Sequence, residues 1–177
     1  MSDFEHKKFN KLYRYSDQRV VVTEKIDGTN GLVFIDLETD TVLAGSRNRW
    51  VVVGEDNYGF AQFVEDNRED LKSLGDGYHY GEWWGLCIQR NYGMDRKVFS
   101  LFNPYRYLDT LPHCCDVVPV VFDGAVTEYE KEFTDRLSSL SSTAAAKYDV
   151  SFDNIEGYVV YFAGSKVSMK HIINKEK

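Results

Sequence analysis

Glu24-Lys25-Ile26-Asp27-Gly28-Thr29-Asn30 closes an apolar run and opens a turn. Val20, Val21 and Val22 precede it as a short β-branched strand, and Leu32 to Leu37 follows as a second. Asp27-Gly28 is a turn signal, so the segment predicts a hairpin that presents Lys25 where a strand ends. A lysine delivered in this way is a candidate nucleophile, whereas the plainer reading is a surface lysine beside a turn. Lys-x-Asp-Gly alone arises by chance roughly once in 25 chains of this length. The residues around it have to choose between the two.

Working outward, Thr41 to Ala44 reads as a third strand and Gly45-Ser46-Arg47-Asn48-Arg49 as a basic corner. Phe60, Phe63, Val64 and Leu71 recur at roughly helical spacing, which predicts one amphipathic helix between Tyr58 and Leu74. Tyr78 to Trp84, Lys97 to Phe102 and Val117 to Phe122 read as strands, the first two separated by a loop from Gly85 to Arg96. Thr127 with Glu130 has capping-box spacing for a helix toward Leu140, and Ser138 to Ala146 reads as a frayed end or loop. Gly157 to Phe162 and Lys166 to Met169 form a closing hairpin. Many strands with few helices and no β-α alternation predict an α+β fold of antiparallel sheets.

The 177 residues fit one domain, 1–177, with 43% apolar residues, 15% aromatics and three prolines. No apolar run is long enough to span a membrane and no secretory leader opens the chain, so a cytoplasmic location is expected. Cys87, Cys114 and Cys115 lack the spacing of a zinc site or of a paired disulfide framework. A net charge of −7 argues against a surface that grips nucleic acid everywhere, while leaving room for a basic groove. Arg47, Arg49, Arg90, Arg96, Lys97, Lys166 and Lys170 fall in or beside the motifs; Glu65, Asp66, Glu69 and Asp70 fall in the helical segment.

Two carboxylates stand at strand ends beside glycines, Glu82 in Tyr80-Gly81-Glu82-Trp83-Trp84-Gly85 and Glu156 in Ile155-Glu156-Gly157-Tyr158. A carboxylate among aromatic rings is costly unless it has a partner. Val167-Ser168-Met169-Lys170 alternates so that Ser168 and Lys170 share a face. Taken singly, each is an exposed strand residue. In this order the pieces resemble the covalent nucleotidyltransferase superfamily of polynucleotide ligases and mRNA-capping enzymes, most closely its RNA-ligase branch of phage-type, nick-sealing enzymes. Lys25 matches the nucleophile of the first motif, whose Thr-Asn ending is similar to RNA ligases. Ser46-Arg47 matches the second motif and Glu82 the third. Ile88-Gln89-Arg90-Asn91 and Val98-Phe99-Ser100-Leu101-Phe102-Asn103 are similar to the segments that follow. Glu156-Gly157-Tyr158-Val159 matches motif IV and Lys170 motif V.

The resemblance covers about Lys11 to Lys170 and implies an ATP-grasp-like adenylyltransferase domain without a C-terminal accessory domain. It implies catalytic roles for Lys25, Asp27, Glu156 and Lys170, and nucleotide contacts from Glu24, Gly28, Arg47, Glu82, Phe102 and Lys170. Lys25 would carry AMP, Glu82 would meet the ribose, Phe102 would stack on adenine, and Glu156 would hold Mg2+ or Mn2+. Asn30, Arg47, Arg49 and Arg90 would meet RNA ends or a nicked duplex, with ATP as the nucleotide and a partner protein supplying the C-terminal function. Some rings among Trp83, Trp84, Tyr92 and Tyr105 would stack on bases, with core packing the plainer reading for at least half of them. The sequence departs from the pattern at Asn103, where relatives have Asp, and in motif V, where Lys170 lacks a second lysine one residue away. Lys166 is the candidate replacement. A capping-type guanylyltransferase and a binding module without turnover are the alternatives.

Overall fold

The computed structural model describes residues 5–9, 12, 14–56, 58–133 and 141–173. Its strands are β1 (Arg19–Lys25), β2 (Thr29–Asp36), β3 (Thr41–Gly45), β4 (Trp50–Val51), β5 (Gly77–Gly85), β6 (Lys97–Leu101), β7 (Cys115–Val117), β8 (Val120–Ala125), β9 (Gly157–Phe162) and β10 (Val167–Ile172). They form two sheets, one ordered β10-β9-β1-β8 and the other β4-β3-β2-β5-β6-β7. The α+β class stands. All neighbours are antiparallel except β6 and β7, which run parallel.

β1 and β2 are not a hairpin. They belong to different sheets, and Ile26-Asp27-Gly28 carries the chain from one to the other. The local turn signal is real, but strand pairing is decided by which long-range partner covers each apolar face. β1 is paired on both sides, with β8 and β9, and its Val20 and Val22 are fully buried with Val126, Tyr158 and Val160. β2 pairs instead with β3 and β5. Lys25 therefore ends its strand at the seam between sheets.

A second seam explains another departure from expectation. The predicted strand Val117 to Phe122 is two strands, β7 in one sheet and β8 in the other, interrupted at Pro119. Proline has no N–H for a ladder, and here its carbonyl accepts from the Glu24 N–H at 3.0 Å. The predicted helix over Tyr58 to Leu74 is likewise divided into α1 (Phe60–Asp66) and α2 (Arg68–Leu71). Between them Asn67 turns its side-chain amide onto the Phe63 carbonyl at 2.7 Å, competing with the backbone ladder. The next helix, α3 (Val126–Glu128), starts at Ala125, whose N–H donates to Glu128 at 3.3 Å; Thr127 and Glu130 are not its capping pair. It continues as a wider turn to Phe133, and the rest of the helix expected toward Leu140 lies outside the described residues. α4 (Thr143–Ala146) forms where a loop was expected, because Ser142 caps it by accepting from the Ala145 N–H.

Among the described residues three apolar clusters hold the layers. One packs α1 and α2 through Phe60, Val64 and Leu71 against Val33, Ile35, Phe99 and Leu101 of the larger sheet. A second lies against the smaller sheet, and a third joins Ile26, Trp84, Tyr92, Met94, Val98, Ala144 and Ala145 at the seam. Burying Ile26 contributes about 1.5–3 kcal/mol and pins the residue next to Lys25. Trp83, Trp84 and Tyr92 belong to these cores and are not available for base stacking. Among the described residues no helix is long and apolar enough to cross a membrane.

Candidate active site

Lys25 Nζ lies 2.5 Å from Glu156 Oε2, so the first-motif lysine and the motif IV carboxylate, 131 residues apart, meet as an ion pair. Both are only partly exposed. β9 begins at Gly157, which pairs with Lys25 across the sheet and places Glu156 beside it. Gly157 has φ +154° and is packed so closely on the His171 carbonyl that a Cβ would collide with it.

Register brings the motif V lysine to the same side. Thr23, Val159 and Lys170 are directly opposite one another in β1, β9 and β10, and Thr23 shares its face with Lys25. Lys170 is exposed there. Lys166 cannot complete the pair: it sits in the turn beyond the Phe162–Val167 row, roughly 17 Å along the strand from the Lys25 row.

From the other sheet comes Glu82. Its Oε1 accepts from the Gly28 N–H at 3.0 Å and its Oε2 from the Asn30 side-chain amide at 3.2 Å. Burial pushes its carboxyl up to about 7, against the lowering pull of the Gly28 hydrogen bond and of Lys25. The repulsion of Glu156 and Asp27 adds to the rise. Gly28 has no room for a side chain, since a Cβ would strike the Trp83 carbonyl and come within 2.8 Å of the Trp84 Cβ. Thus Gly28 lets the turn close onto the strand that carries Glu82.

Phe102 follows β6, is 37% exposed, and its N–H donates to the Tyr80 carbonyl. Next to it Asn103 has φ +57°, a left-handed conformation that asparagine tolerates better than most residues. The departure from Asp thus coincides with a backbone demand. Asn30, Ser46 and Arg49 line a cavity of about 60 Å³ with Thr29 and Asp56. That volume is far below the roughly 300 Å³ of a small-molecule pocket. Arg47 is exposed in the same corner.

Two expected contacts fall elsewhere. Glu24 points away from Lys25, as alternation along β1 requires, and is 2% exposed. It accepts from Ser142 Oγ at 2.6 Å and from the Ala144 N–H at 2.8 Å, serving the start of α4; burial raises its pKa. Arg90, expected at an RNA end, has a side chain only 6% exposed. Its Nε donates to Asp27 Oδ2 at 2.9 Å and its Nη1 to the Asn154 carbonyl at 3.1 Å. Tyr92 adds a brace by accepting from the Asp27 N–H. Nothing in the Gly85 to Arg96 loop composition distinguished an internal brace from a surface cation. The basic groove is correspondingly reduced, since Arg96 pairs with Asp95 and Lys97 donates to the Tyr58 carbonyl.

The seam of the two sheets thus holds a lysine flanked by two carboxylates, with a second lysine on its face. The RNA ligase family model matches residues 18–173, and the chain belongs to that family. Its fold is similar to that of about half of Naegleria gruberi RNA ligase. A mutant of that protein with ATP and Mn superposes with TM-score 0.64 at 19% identity, covering 90% of this chain and 51% of the other. The same protein with PPi gives TM-score 0.62 at 19% identity, covering 89% and 50%. The chain therefore spans about half the length of the solved structures it matches. No curated protein shows a significant match.

Proposed function

We propose that this domain is the adenylyltransferase of an ATP-dependent RNA ligase, carrying AMP on Lys25 and passing it to the 5′-phosphate of an RNA end. The observation that supports it most is the Lys25–Glu156 pair at the seam, with Glu82 from the second sheet and Lys170 on the same face. An ammonium cannot attack phosphorus, so a proton leaves Lys25 first, and the hydrogen bond to Glu156 is the path for it. The freed amine attacks the α-phosphorus of ATP, the P–N bond forms, and the bond to the bridging oxygen breaks with pyrophosphate carrying off the electron pair. Lys170 opposes the charge that develops on the phosphoryl oxygens.

Glu82 receives a ribose hydroxyl and Phe102 stacks on the base; Asp27, fixed by Arg90, holds the turn that aims Lys25. Gly28 keeps that turn against Glu82. The 5′-phosphate oxygen of RNA then attacks the lysyl-bound phosphorus, the P–N bond breaks, and Lys25 is restored. A 3′-hydroxyl finally displaces AMP to join the strands. Asn30, Arg47 and Arg49 border the corner where these ends would lie.

Among the described residues no three His, Cys, Asp or Glu side chains gather as a metal cage. A lone carboxylate such as Glu156 suits Mg2+ or Mn2+ that arrives on ATP phosphates and keeps its waters. Bound there, the ion would neutralise phosphate charge during transfer.

The test is covalent labelling. Protein incubated with α-labelled ATP and Mg2+ or Mn2+ and then denatured should retain label, and Lys25→Ala should not. Label from GTP alone would point to capping chemistry, and no label from either nucleotide would remove the enzymatic reading.

A further inference from the structure

The larger sheet has one face under α1 and α2; its other face is covered by the seam cluster at the Trp84 and Val98 end and, among the described residues, is exposed at the end of Tyr78 and Tyr80. On this second face Asn30, Leu32 and Phe34 of β2 stand opposite Glu82, Tyr80 and Tyr78 of β5. Leu43 and Gly45 of β3 continue the rows, and Trp50 of β4 lies opposite Gly45. Alternation puts these side chains together, and the burial pattern agrees: Tyr78, Tyr80 and Trp50 are 49%, 54% and 47% exposed, while the residues between them are buried. Phe34 joins the strip, its ring 4.8 Å from Tyr78 and 6.1 Å from Trp50. These rings are not core, and the strip begins one row from Glu82.

We infer that this strip is a stacking platform for unpaired RNA leading to the Lys25 site, an inference that rests on the ligase reading above. The Tyr78 and Tyr80 rings are 14° from parallel with centroids 6.4 Å apart, close to twice the roughly 3.4 Å rise between stacked nucleotides. Their hydroxyl-bearing rings suit a wet, sequence-tolerant contact with base faces. Cations lie beside the strip: Arg49 precedes Trp50 and Arg47 stands two residues before Arg49, both exposed, and Arg106 donates from Nη1 to the Tyr78 carbonyl. Asp36, bonded to the N–H groups of its own turn, closes the far end with negative charge and sets a limit to the path. Base pairs inside a continuous duplex hide their faces from such rings, so the platform selects strands that are unpaired near the end to be adenylylated.

The test compares binding of a dye-labelled single-stranded RNA with binding of the same sequence as a continuous duplex. It uses the full chain, a Tyr78→Ala/Tyr80→Ala variant and a Tyr78→Phe/Tyr80→Phe variant. Removal of both rings should weaken single-strand binding about tenfold or more and leave duplex binding alone, whereas the Phe pair should bind within about twofold of the parent. Thermal melting checks that the Ala pair folds, and retained lysyl-AMP label in both variants separates this proposal from the reading it rests on. Unchanged single-strand binding, or an equal loss on single strand and duplex, overturns the platform. So does an altered sedimentation behaviour with RNA binding intact, which would make the strip a protein interface.

Discussion

Lys25 Nζ and Glu156 Oε2 are 2.5 Å apart because β1 and β9 pair in register, not because either residue lies in a distinctive local sequence. On the proposed reading, Glu156 receives the lysine proton as the amine is freed for attack. Glu156→Gln keeps the size of the side chain and removes that capacity. Lysyl-AMP formation should fall by about 10²-fold or more, with a partial recovery as pH rises. Single-turnover label incorporation from pH 6 to about pH 9 measures it.

Arg90 should behave as a positioning residue. Replacing it by Ala strands Asp27, which is itself partly exposed, and frees the turn that aims Lys25. A loss of about 2–4 kcal/mol in stability is expected, less than for a fully buried pair because Asp27 sees solvent. Arg90→Lys should restore charge without the two-pronged geometry, recovering stability more than adenylylation rate. Salt dependence of RNA binding should stay that of the parent in Arg90→Lys, since the residue does not reach the surface.

Glu82 gives a pH signature. Burial pushes its carboxyl up to about 7 in the fold from an ordinary value of 4.5, so the native state binds the proton more tightly than the unfolded chain. Stability is then full below pH 4.5 and falls as pH rises toward 7, by about 3 kcal/mol at most. Glu82→Gln keeps an acceptor for the Gly28 N–H and removes this loss. Melting curves between pH 5 and about pH 8 should diverge, the variant being the more stable at the alkaline end while its adenylylation is impaired.

Glu24→Ala tests the reassigned carboxylate. Ser142 and the Ala144 N–H would lose their buried acceptor, costing about 1–3 kcal/mol. The KM for ATP in label incorporation should remain near that of the parent, because the side chain faces away from Lys25.

Sequence legibility followed the range of the interaction involved. β-branched runs and turn residues located most strands, and the order of Lys25, Glu82, Glu156 and Lys170 pointed to the family and to a candidate site, because those signals are local or ordinal. The exposed Tyr78 and Tyr80 were also legible in principle, as alternate residues of a predicted strand, but nothing local said which sheet face would stay open. Seam crossings at Ile26-Asp27-Gly28 and Pro119 were decided by pairing between distant strands. The same holds for Glu24 and Arg90, whose charges could be read from sequence and whose partners could not. Sequence by itself determined the α+β class and the family, and singled out Lys25 as the candidate nucleophile. Tertiary structure decided which charges face the site and which brace it, because a buried charge must find its partner wherever the packed chain supplies one.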